Sequence, residues 1–248
     1  MLRQVVRGQL GYRSPAYRFA ARAYSDATIL AREGFATLAR LRRLEAAAKA
    51  NSEPVPVTFT NLDHPMFLRP GTEDIGAAVN NIVRREYGRF DPKVEPQTMV
   101  DAGAYIGDTS AYFLSRYTNL RVIALEPNPE SFPLAQRNLA PYGDRVELRD
   151  EALCAQPGFV RFGGREMGAR IGGEGRQARA TTVSELVARF PEGRIDILKL
   201  DIEGAETELF AGKAETWLPQ VSHINCRNAR TGEQSSGAFH ARGAKLVI

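Results

Sequence analysis

One stretch constrains the fold of this chain more than any other, and it reads Val100-Asp101-Ala102-Gly103-Ala104-Tyr105-Ile106-Gly107-Asp108. It separates an apolar run from a helix-like run, and Glu126 follows 23 positions after Gly103, at the end of a second apolar run. This layout is typical of nucleotide-binding α/β proteins, in which a strand ends, glycines let the backbone turn beneath a ligand, and a helix begins. A carboxylate that closes the next strand can accept hydrogen bonds from both hydroxyls of a ribose.

The glycine pattern is D-x-G-x-x-x-G and not the G-x-G-x-x-G of dinucleotide enzymes, which place a pyrophosphate on the helix N-terminus. Asp101 and Asp108 flank this turn and would repel a phosphate. A ligand with a ribose and a cationic amino-acid end fits better, and S-adenosylmethionine is such a ligand. The alternative reading is an ordinary strand-turn-helix with a capping aspartate.

Each residue of this region has an expected role toward that ligand. We expect the backbone of residues 103–107 to approach the methionine part, Asp101 to orient the ammonium group, and Glu126 to bind the ribose. Pro127 ends the strand beside Glu126. The predicted cofactor-binding residues here are Asp101, Gly103, Ala104, Tyr105, Gly107, Glu126 and Pro127.

Length and composition fit a globular protein with one α/β domain, predicted over residues 54–248, and an N-terminal extension over residues 1–53. Cys154 and Cys226 show neither metal nor disulfide spacing, which favours a reducing compartment, and we expect the cytoplasm. The net charge of +4 is too small to indicate a nucleic-acid partner.

The first 25 residues hold five arginines and no acidic residue. Such a segment is a basic helical or disordered arm, an organelle transit peptide, or a helix that makes peripheral contact with a membrane surface. We expect Gly8, Gly11 and Pro15 to interrupt any long amphipathic helix.

From residue 97 onward, predicted strands and helices alternate, which favours a Rossmann-like, doubly wound and mostly parallel sheet. The ligand should then lie at the carboxyl ends of the strands. The pattern predicts strands at 98–101, 121–126, 145–149, 195–201 and 220–225, and helices at 26–49, 72–87, 107–117, 129–139, 182–190 and 204–212.

The predicted third strand of the sheet ends at Asp150-Glu151-Ala152-Leu153. In such folds this position lies near the adenine, so Glu151 is expected to accept from its amino group and Ala152 to pack against the ring. A solvated turn is the equally weighted alternative.

Ionisable residues alternate at the end of the predicted strand 195–201. Lys199, Asp201 and Glu203 fall on one face of the strand and its exit. Charges in a covered parallel strand are unfavourable unless they are paired, so such a cluster often marks a site. The alternative is a lysine–aspartate ion pair with helix-capping carboxylates.

With these clusters the chain resembles the FkbM family of S-adenosylmethionine-dependent methyltransferases, over about residues 60–224. The resemblance rests on residues 64–74, 100–107, 125–129 and 195–206, which read His64-Pro65-Met66-Phe67-Leu68-Arg69-Pro70-Gly71-Thr72-Glu73-Asp74, Val100-Asp101-Ala102-Gly103-Ala104-Tyr105-Ile106-Gly107, Leu125-Glu126-Pro127-Asn128-Pro129 and Ile195-Asp196-Ile197-Leu198-Lys199-Leu200-Asp201-Ile202-Glu203-Gly204-Ala205-Glu206.

The resemblance implies a class I methyltransferase that O-methylates a hydroxyl of a sugar, a glycan or a natural product. It implies that Asp201 and Glu203 border the acceptor pocket and that Arg69 and Asp74 are structural or acceptor-side residues. After Ile224 the sequence departs from the family pattern, and only Leu246-Val247-Ile248 reads as a last strand. We therefore expect the C-terminal strands to be incomplete or altered.

We expect Asp201 or Glu203 to be the general base, with Lys199 holding these carboxylates ionised. His223 is a further candidate, although a single histidine near a strand end is more often structural. The alternative is a Mg²⁺ ion bound by Asp201 and Glu203, although no dedicated metal site is predicted. Two competing functions remain: a non-catalytic binding module of the same fold with a damaged acceptor site, and a nicotinamide-dependent oxidoreductase. The expected partner is a small-molecule or glycan acceptor and not a nucleic acid.

Overall fold

The computed structural model describes residues 14–47, 53–87, 95–163, 170–171, 176–202, 206–211, 214–227 and 234–238. Glu203, the apolar ending at 246–248 and much of the glycine-rich stretch 163–175 lie outside these ranges.

A six-stranded sheet forms the centre of the described fold, with strand order β12-β11-β10-β3-β4-β5. Neighbouring strands from β11 to β5 pair in parallel, whereas the edge strand β12 pairs antiparallel with β11. The order reverses between β3 and β10, as in a doubly wound sheet, which confirms the predicted fold class. The strands are β3 Thr98–Ala102, β4 Arg121–Leu125, β5 Val146–Arg149, β10 Ile195–Leu200, β11 Val221–Arg227 and β12 Gln234–Ala238.

Two apolar clusters hold the helices against this sheet. One joins Met99 and Ala124 to Phe113 and Leu134, and the other joins Val100 and Leu198 to helix residues such as Leu186 and Leu209. Because β3 and β10 are buried along their whole length, they read as nearly continuous apolar runs. The helices that cover the sheet are α3 Asp108–Arg116, α4 Phe132–Leu139, α5 Val183–Val187 and α6 Glu206–Ala211.

The C-terminal part of the sheet differs from the sequence expectation. Strand β11 runs on to Arg227, and β12 adds an edge strand in the register His223↔Ala238. The expectation that only residues 246–248 remain for a last strand was therefore wrong. The segment Gln-Ser-Ser-Gly-Ala lacks alternating apolar residues, and an edge strand held by backbone pairing needs none.

A smaller four-stranded sheet follows β5, in the order β6-β9-β7-β8. It consists of β6 Glu151–Leu153, β7 Gly158–Gly163, β8 Arg170–Ile171 and β9 Arg176–Thr181.

The N-terminal segment forms helix α1 Pro15–Ala46, which is interrupted at Gly34 by φ 82° and ψ 176°. Arg22 Nη1 lies 3.0 Å from Glu45 Oε1. In a straight helix these residues would be roughly 35 Å apart, so the two arms fold back on each other as a hairpin. Pro15 does not interrupt the helix but opens it, and Ser14 accepts a hydrogen bond from Tyr17 N at 3.1 Å.

Short elements connect this hairpin to the central sheet. Strands β1 Val55–Val57 and β2 Met66–Leu68 pair antiparallel, and helix α2 Asp74–Ala78 continues as a π-helical segment, Val79–Val83. Within the described ranges, no helix combines the length and the apolar character needed to cross a bilayer.

Candidate cofactor and acceptor site

The exits of β3, β4 and β10 meet at the carboxyl edge of the sheet. Gly103 N and Ala104 N both donate to Leu125 O, at 3.0 and 2.9 Å. Asp201 N donates to Ala102 O at 3.1 Å. The predicted cofactor loop therefore lies between the strand that carries Glu126 and the strand that carries Asp201.

Backbone donors fix the carboxylate of Glu126. Tyr105 N donates to Oε2 at 2.6 Å, and Asn128 N donates to Oε1 at 2.8 Å. Each oxygen keeps a further lone pair that can accept from a ligand hydroxyl. The side chain is only 5% exposed, and this burial raises the pKa of Glu126 to about 7, although the two backbone hydrogen bonds act in the opposite direction.

Tyr105 connects this carboxylate to the N-terminal part of the domain. Its backbone is left-handed, with φ 52°, which is uncommon outside glycine and turns its N–H toward Glu126. Its hydroxyl donates to the buried Asp74 at 2.6 Å. Asp74 also forms a bidentate ion pair with Arg69, with N···O distances of 2.8 and 2.9 Å. Arg69 and Asp74 therefore hold the side chain of Tyr105 and, through it, the loop that follows β3.

A buried ion pair lies beneath the loop. Lys199 Nζ is 3.0 Å from Asp101 Oδ1, and the two side chains are 3% and 0% exposed. Lys199 also donates to Gly103 O at 2.5 Å, and Ser110 donates to Asp101 Oδ2 at 2.7 Å. Asp101 was predicted to orient a ligand ammonium and Lys199 to act among the catalytic carboxylates. The structure directs both toward the interior, where they support the loop.

Burial alone would lower the pKa of Lys199, but the carboxylates of Asp101 and Asp201 hold it above its usual value. The ammonium therefore stays charged inside the fold. Its charge is balanced by Asp101 before any ligand arrives.

Gly103 and Gly107 serve the packing of the loop. A Cβ at Gly103 would lie 2.1 Å from Asp201 O, and the residue has φ 80°. A Cβ at Gly107 would lie 2.8 Å from Leu139 Cγ. The first glycine thus brings the β10 exit against the loop, and the second brings helix α3 against helix α4.

Asp201 is half-buried at the end of β10, where its Oδ2 accepts a hydrogen bond from Tyr87 at 3.0 Å. Tyr87 is 5% exposed, and its ring lies 5.4 Å from Lys199 Nζ. Sequence reasoning missed Tyr87, since no local pattern links a tyrosine at the end of a helical segment to a residue 114 positions away. Glu203, the other predicted catalytic carboxylate, lies outside the described residues.

A further buried carboxylate, Asp108, stands at the first turn of α3. It accepts a hydrogen bond from Asn81 Nδ2 at 2.8 Å. Burial raises the pKa of Asp108 to about 6, while this hydrogen bond acts in the opposite direction.

The residues that were predicted to contact an adenine, Glu151 and Ala152, lie at the edge of the site. Glu151 is buried, and both its oxygens face Arg149, at 2.5 and 2.9 Å. The Arg149 hydrogen bond lowers the pKa of Glu151. The structure therefore pairs Glu151 with Arg149. If Glu151 also accepts a hydrogen bond from the amino group of an adenine, it must do so while it keeps this ion pair. Ala152 and Pro127 are buried nearby on β6 and after β4.

A magnesium ion bound by Asp201 and Glu203 remains an expectation from the sequence. Among the residues that the structure describes, no three histidine, cysteine, aspartate or glutamate side chains group closely enough to hold a metal ion.

Comparison with known proteins identifies the family. The sequence model of the Methyltransferase FkbM domain matches residues 101–227, which is just over half of the chain. The chain belongs to this methyltransferase family, as its resemblance predicted. The matched range includes Asp101, Glu126, Lys199 and Asp201.

Individual relatives are more distant. The AMB antimetabolite synthetase AmbE of Pseudomonas aeruginosa is 25% identical over 74% of this chain and 11% of its own length. The methyltransferase sdnD of Sordaria araneosa is 28% identical over 51% of this chain and 64% of its own length. Ribosomal RNA small subunit methyltransferase H of Rhodococcus jostii is 39% identical over 23% of this chain and 17% of its own length.

A solved structure of a methyltransferase FkbM from Methylobacillus flagellatus matches with a TM-score of 0.45 and 16% identity, over 64% of this chain and 44% of that one. This chain thus spans a small part of AmbE and less than two thirds of the other proteins named here.

The buried ion pair under the loop generates a stability prediction. Replacing Lys199 by Met leaves the Asp101 carboxylate buried without its cation, and we expect a loss of about 3–5 kcal/mol in the free energy of unfolding. Adding Asp101→Asn to this variant should recover part of the loss, because the unpaired charge is removed. Urea denaturation measures both.

The matched control is Arg121→Met, which breaks a half-exposed ion pair with Glu192 and should change the free energy of unfolding by less than about 1 kcal/mol. An equal loss in Lys199→Met and Arg121→Met would contradict the role given to the buried pair.

Proposed function

We propose that this chain is an S-adenosylmethionine-dependent O-methyltransferase that acts on a hydroxyl of a sugar, a glycan or a natural product. The observation that carries the proposal is the Glu126 carboxylate. Two backbone N–H groups hold it at the carboxyl edge of the sheet beside the Gly103 loop, with lone pairs left for two ribose hydroxyls. The membership of the FkbM family supports the reaction type.

The charges of the site suit a cation. Asp108, Glu126 and Asp201 all lie at this edge, whereas the Lys199 ammonium beneath them is already paired with Asp101. S-adenosylmethionine carries a sulfonium and an ammonium group and no phosphate. A nicotinamide dinucleotide would bring its pyrophosphate toward these carboxylates, which disfavours an oxidoreductase.

The cofactor would supply a methyl group on a positively charged sulfur. With both molecules bound, the acceptor hydroxyl oxygen would form the new bond to that carbon as the sulfur–carbon bond breaks, and S-adenosylhomocysteine would be the leaving group. Asp201 takes the hydroxyl proton, and the Tyr87 hydroxyl fixes the orientation of this carboxylate from the other side. The rest of the catalytic effect is positioning, for which the Tyr105 and Asn128 N–H groups hold Glu126 in place.

The acceptor class rests on the family resemblance and on the similarity to AmbE, an antimetabolite synthetase. Since one relative is a ribosomal RNA methyltransferase, an acceptor screen must include RNA beside sugars and hydroxylated natural products. A cytoplasmic location stays a prediction. A binding module without turnover is the alternative, and it predicts cofactor binding with no product from any acceptor.

Cofactor binding should depend on pH through Glu126. Ribose hydroxyls donate to the ionised carboxylate, and a pKa of about 7 leaves most of this group protonated at pH 6. We expect the affinity for S-adenosylhomocysteine to fall roughly eightfold between pH 7.5 and pH 6, because binding must then release a proton. Isothermal titration at the two pH values measures this change.

Two variants test whether this pH dependence comes from Glu126. Glu126→Ala should weaken binding at both pH values and remove most of the difference between them, whereas Glu130→Ala, at an exposed position four residues later, should behave like the original chain. Unchanged affinity in Glu126→Ala would show that the ribose is not bound there, and binding of NAD in its place would favour the oxidoreductase.

The role of Asp201 is tested by Asp201→Asn, which keeps an oxygen to accept from Tyr87 but cannot take a proton at neutral pH. Methyl transfer from labelled S-adenosylmethionine should fall about 100-fold or more, while cofactor affinity changes by less than about threefold. Asp150→Asn, which alters an exposed carboxylate at the end of β5, is the control. Full turnover in Asp201→Asn would exclude this residue as the base.

A further inference from the structure

The N-terminal hairpin exposes large apolar side chains beside arginines. Phe35, directly after the turn at Gly34, is 74% exposed, and Phe19 and Leu30 on the first arm are 77% and 48% exposed. At 100° per residue, Phe19 and Leu30 point in directions about 20° apart, so they share one face of that arm. Single exposed apolar residues are common on protein surfaces, so these become informative only together with the basic groups beside them.

The second arm of the hairpin lines a cationic cavity. The cavity has a volume of about 380 Å³ between this arm and the β1 region, and its polar lining comes from Thr37, Thr58, Arg40 and Arg43. No carboxylate lines it, and the described residues give neither arginine an ion-pair partner. Around the helix, Arg43 lies about 80° and Arg40 about 140° from Phe35, so the cavity lies roughly a third of a turn from the exposed phenylalanine ring.

The charge of the segment limits what can cover this side. Residues 1–47 contain nine arginines, no lysine and three carboxylates, a net charge of +6, whereas the whole chain carries +4. The remaining residues are therefore slightly acidic, and the positive charge is concentrated in the N-terminal segment. The hairpin itself, Pro15–Ala46, holds six of the nine arginines and all three carboxylates, a net charge of +3. A second copy of the chain would bring two such segments together, which their charge opposes.

A membrane surface offers both kinds of contact that the hairpin presents. Anionic headgroups attract arginines near the bilayer, and aromatic side chains insert at the boundary between headgroups and acyl chains. A nucleic acid would use the arginines, but it has no apolar layer for Leu30 and Phe35. We propose that the hairpin docks on an anionic phospholipid surface, with a lipid phosphate held by Arg40 and Arg43 in the cavity and Phe35 inserted among the acyl chains.

Sedimentation of the full-length protein with vesicles tests this proposal. One set of vesicles contains phosphatidylcholine alone, and the other contains about one third phosphatidylglycerol. We expect binding to the second set to be at least about tenfold stronger, and to fall about tenfold in Arg40→Gln/Arg43→Gln and several-fold in Phe35→Ser. The basic stretch 1–13 is present in every sample, so a difference among these variants reports on the hairpin.

The matched controls lie on the small sheet. Phe159 is 70% exposed and Arg161 is exposed two residues later, so Phe159→Ser and Arg161→Gln remove the same groups from another surface. They should leave vesicle binding unchanged. All the variants should keep the affinity for S-adenosylhomocysteine, because none of these residues contacts that site.

Three results would overturn the proposal: equal binding to both sets of vesicles, equal loss in the hairpin and small-sheet variants, or no effect of the hairpin substitutions.

Titration with glycerol phosphate in solution distinguishes a site for a lipid headgroup from a site for a soluble phosphate ester. If it binds through Arg40 and Arg43 while the vesicles do not, the cavity is a site for a soluble phosphate ester and the docking proposal is wrong. Self-association of the chain that Phe35→Ser abolishes, without vesicle binding, would instead assign this side to a second copy.

Discussion

The ion pair between Lys199 and Asp101 is the interaction on which the site depends. It joins the two central strands at the point where the strand order reverses, and the same ammonium binds the carbonyl of Gly103. Because both side chains are almost completely buried, neither can lose its partner without leaving an uncompensated charge in the interior. The loop above the pair is therefore held in one conformation before any ligand arrives, and Gly103 allows the backbone of Asp201 to lie directly against it.

A second set of contacts runs from the N-terminal part of the domain to the Glu126 carboxylate. Arg69 fixes Asp74, Asp74 accepts from the Tyr105 hydroxyl, and the Tyr105 N–H fixes Glu126. Tyr87 extends from the same part of the chain to Asp201. The segment before residue 101 lies outside the range matched by the family model, yet it supplies the hydroxyl that binds Asp201 and the Asp74 carboxylate that holds the side chain of Tyr105.

Much of the fold could be predicted because it follows from local patterns. Alternating apolar runs and helical segments predicted the parallel sheet, and the spacing of Gly103 and Glu126 predicted which strand ends meet. The direction of a buried charge could not be predicted in this way. Alternation placed Lys199 and Asp201 on one face, but whether an ammonium reaches the ligand or an interior carboxylate depends on the strand beside it.

Contacts between residues far apart in the chain, and contacts made by the backbone, could not be predicted from local sequence patterns either. Tyr87 reaches Asp201 from a distant part of the chain, and the pairing of Glu151 with Arg149 competes with its predicted role at an adenine. Strand β12 could not be predicted from an apolar pattern, since an edge strand that is held by backbone hydrogen bonds can consist of polar residues. Pro15 was expected to break a helix, but at the first helical position it favours one.

The central claim is that Glu126 binds the ribose of S-adenosylmethionine at the carboxyl edge of the sheet. A crystal structure of the complex with S-adenosylhomocysteine tests it most directly. We expect both ribose hydroxyls within about 3 Å of the Glu126 oxygens, with the amino-acid end above the Gly103 loop and the Lys199–Asp101 pair intact beneath it. A ligand whose ribose lies away from Glu126, or one bound elsewhere on the chain, would show that Glu126 is not the ribose site.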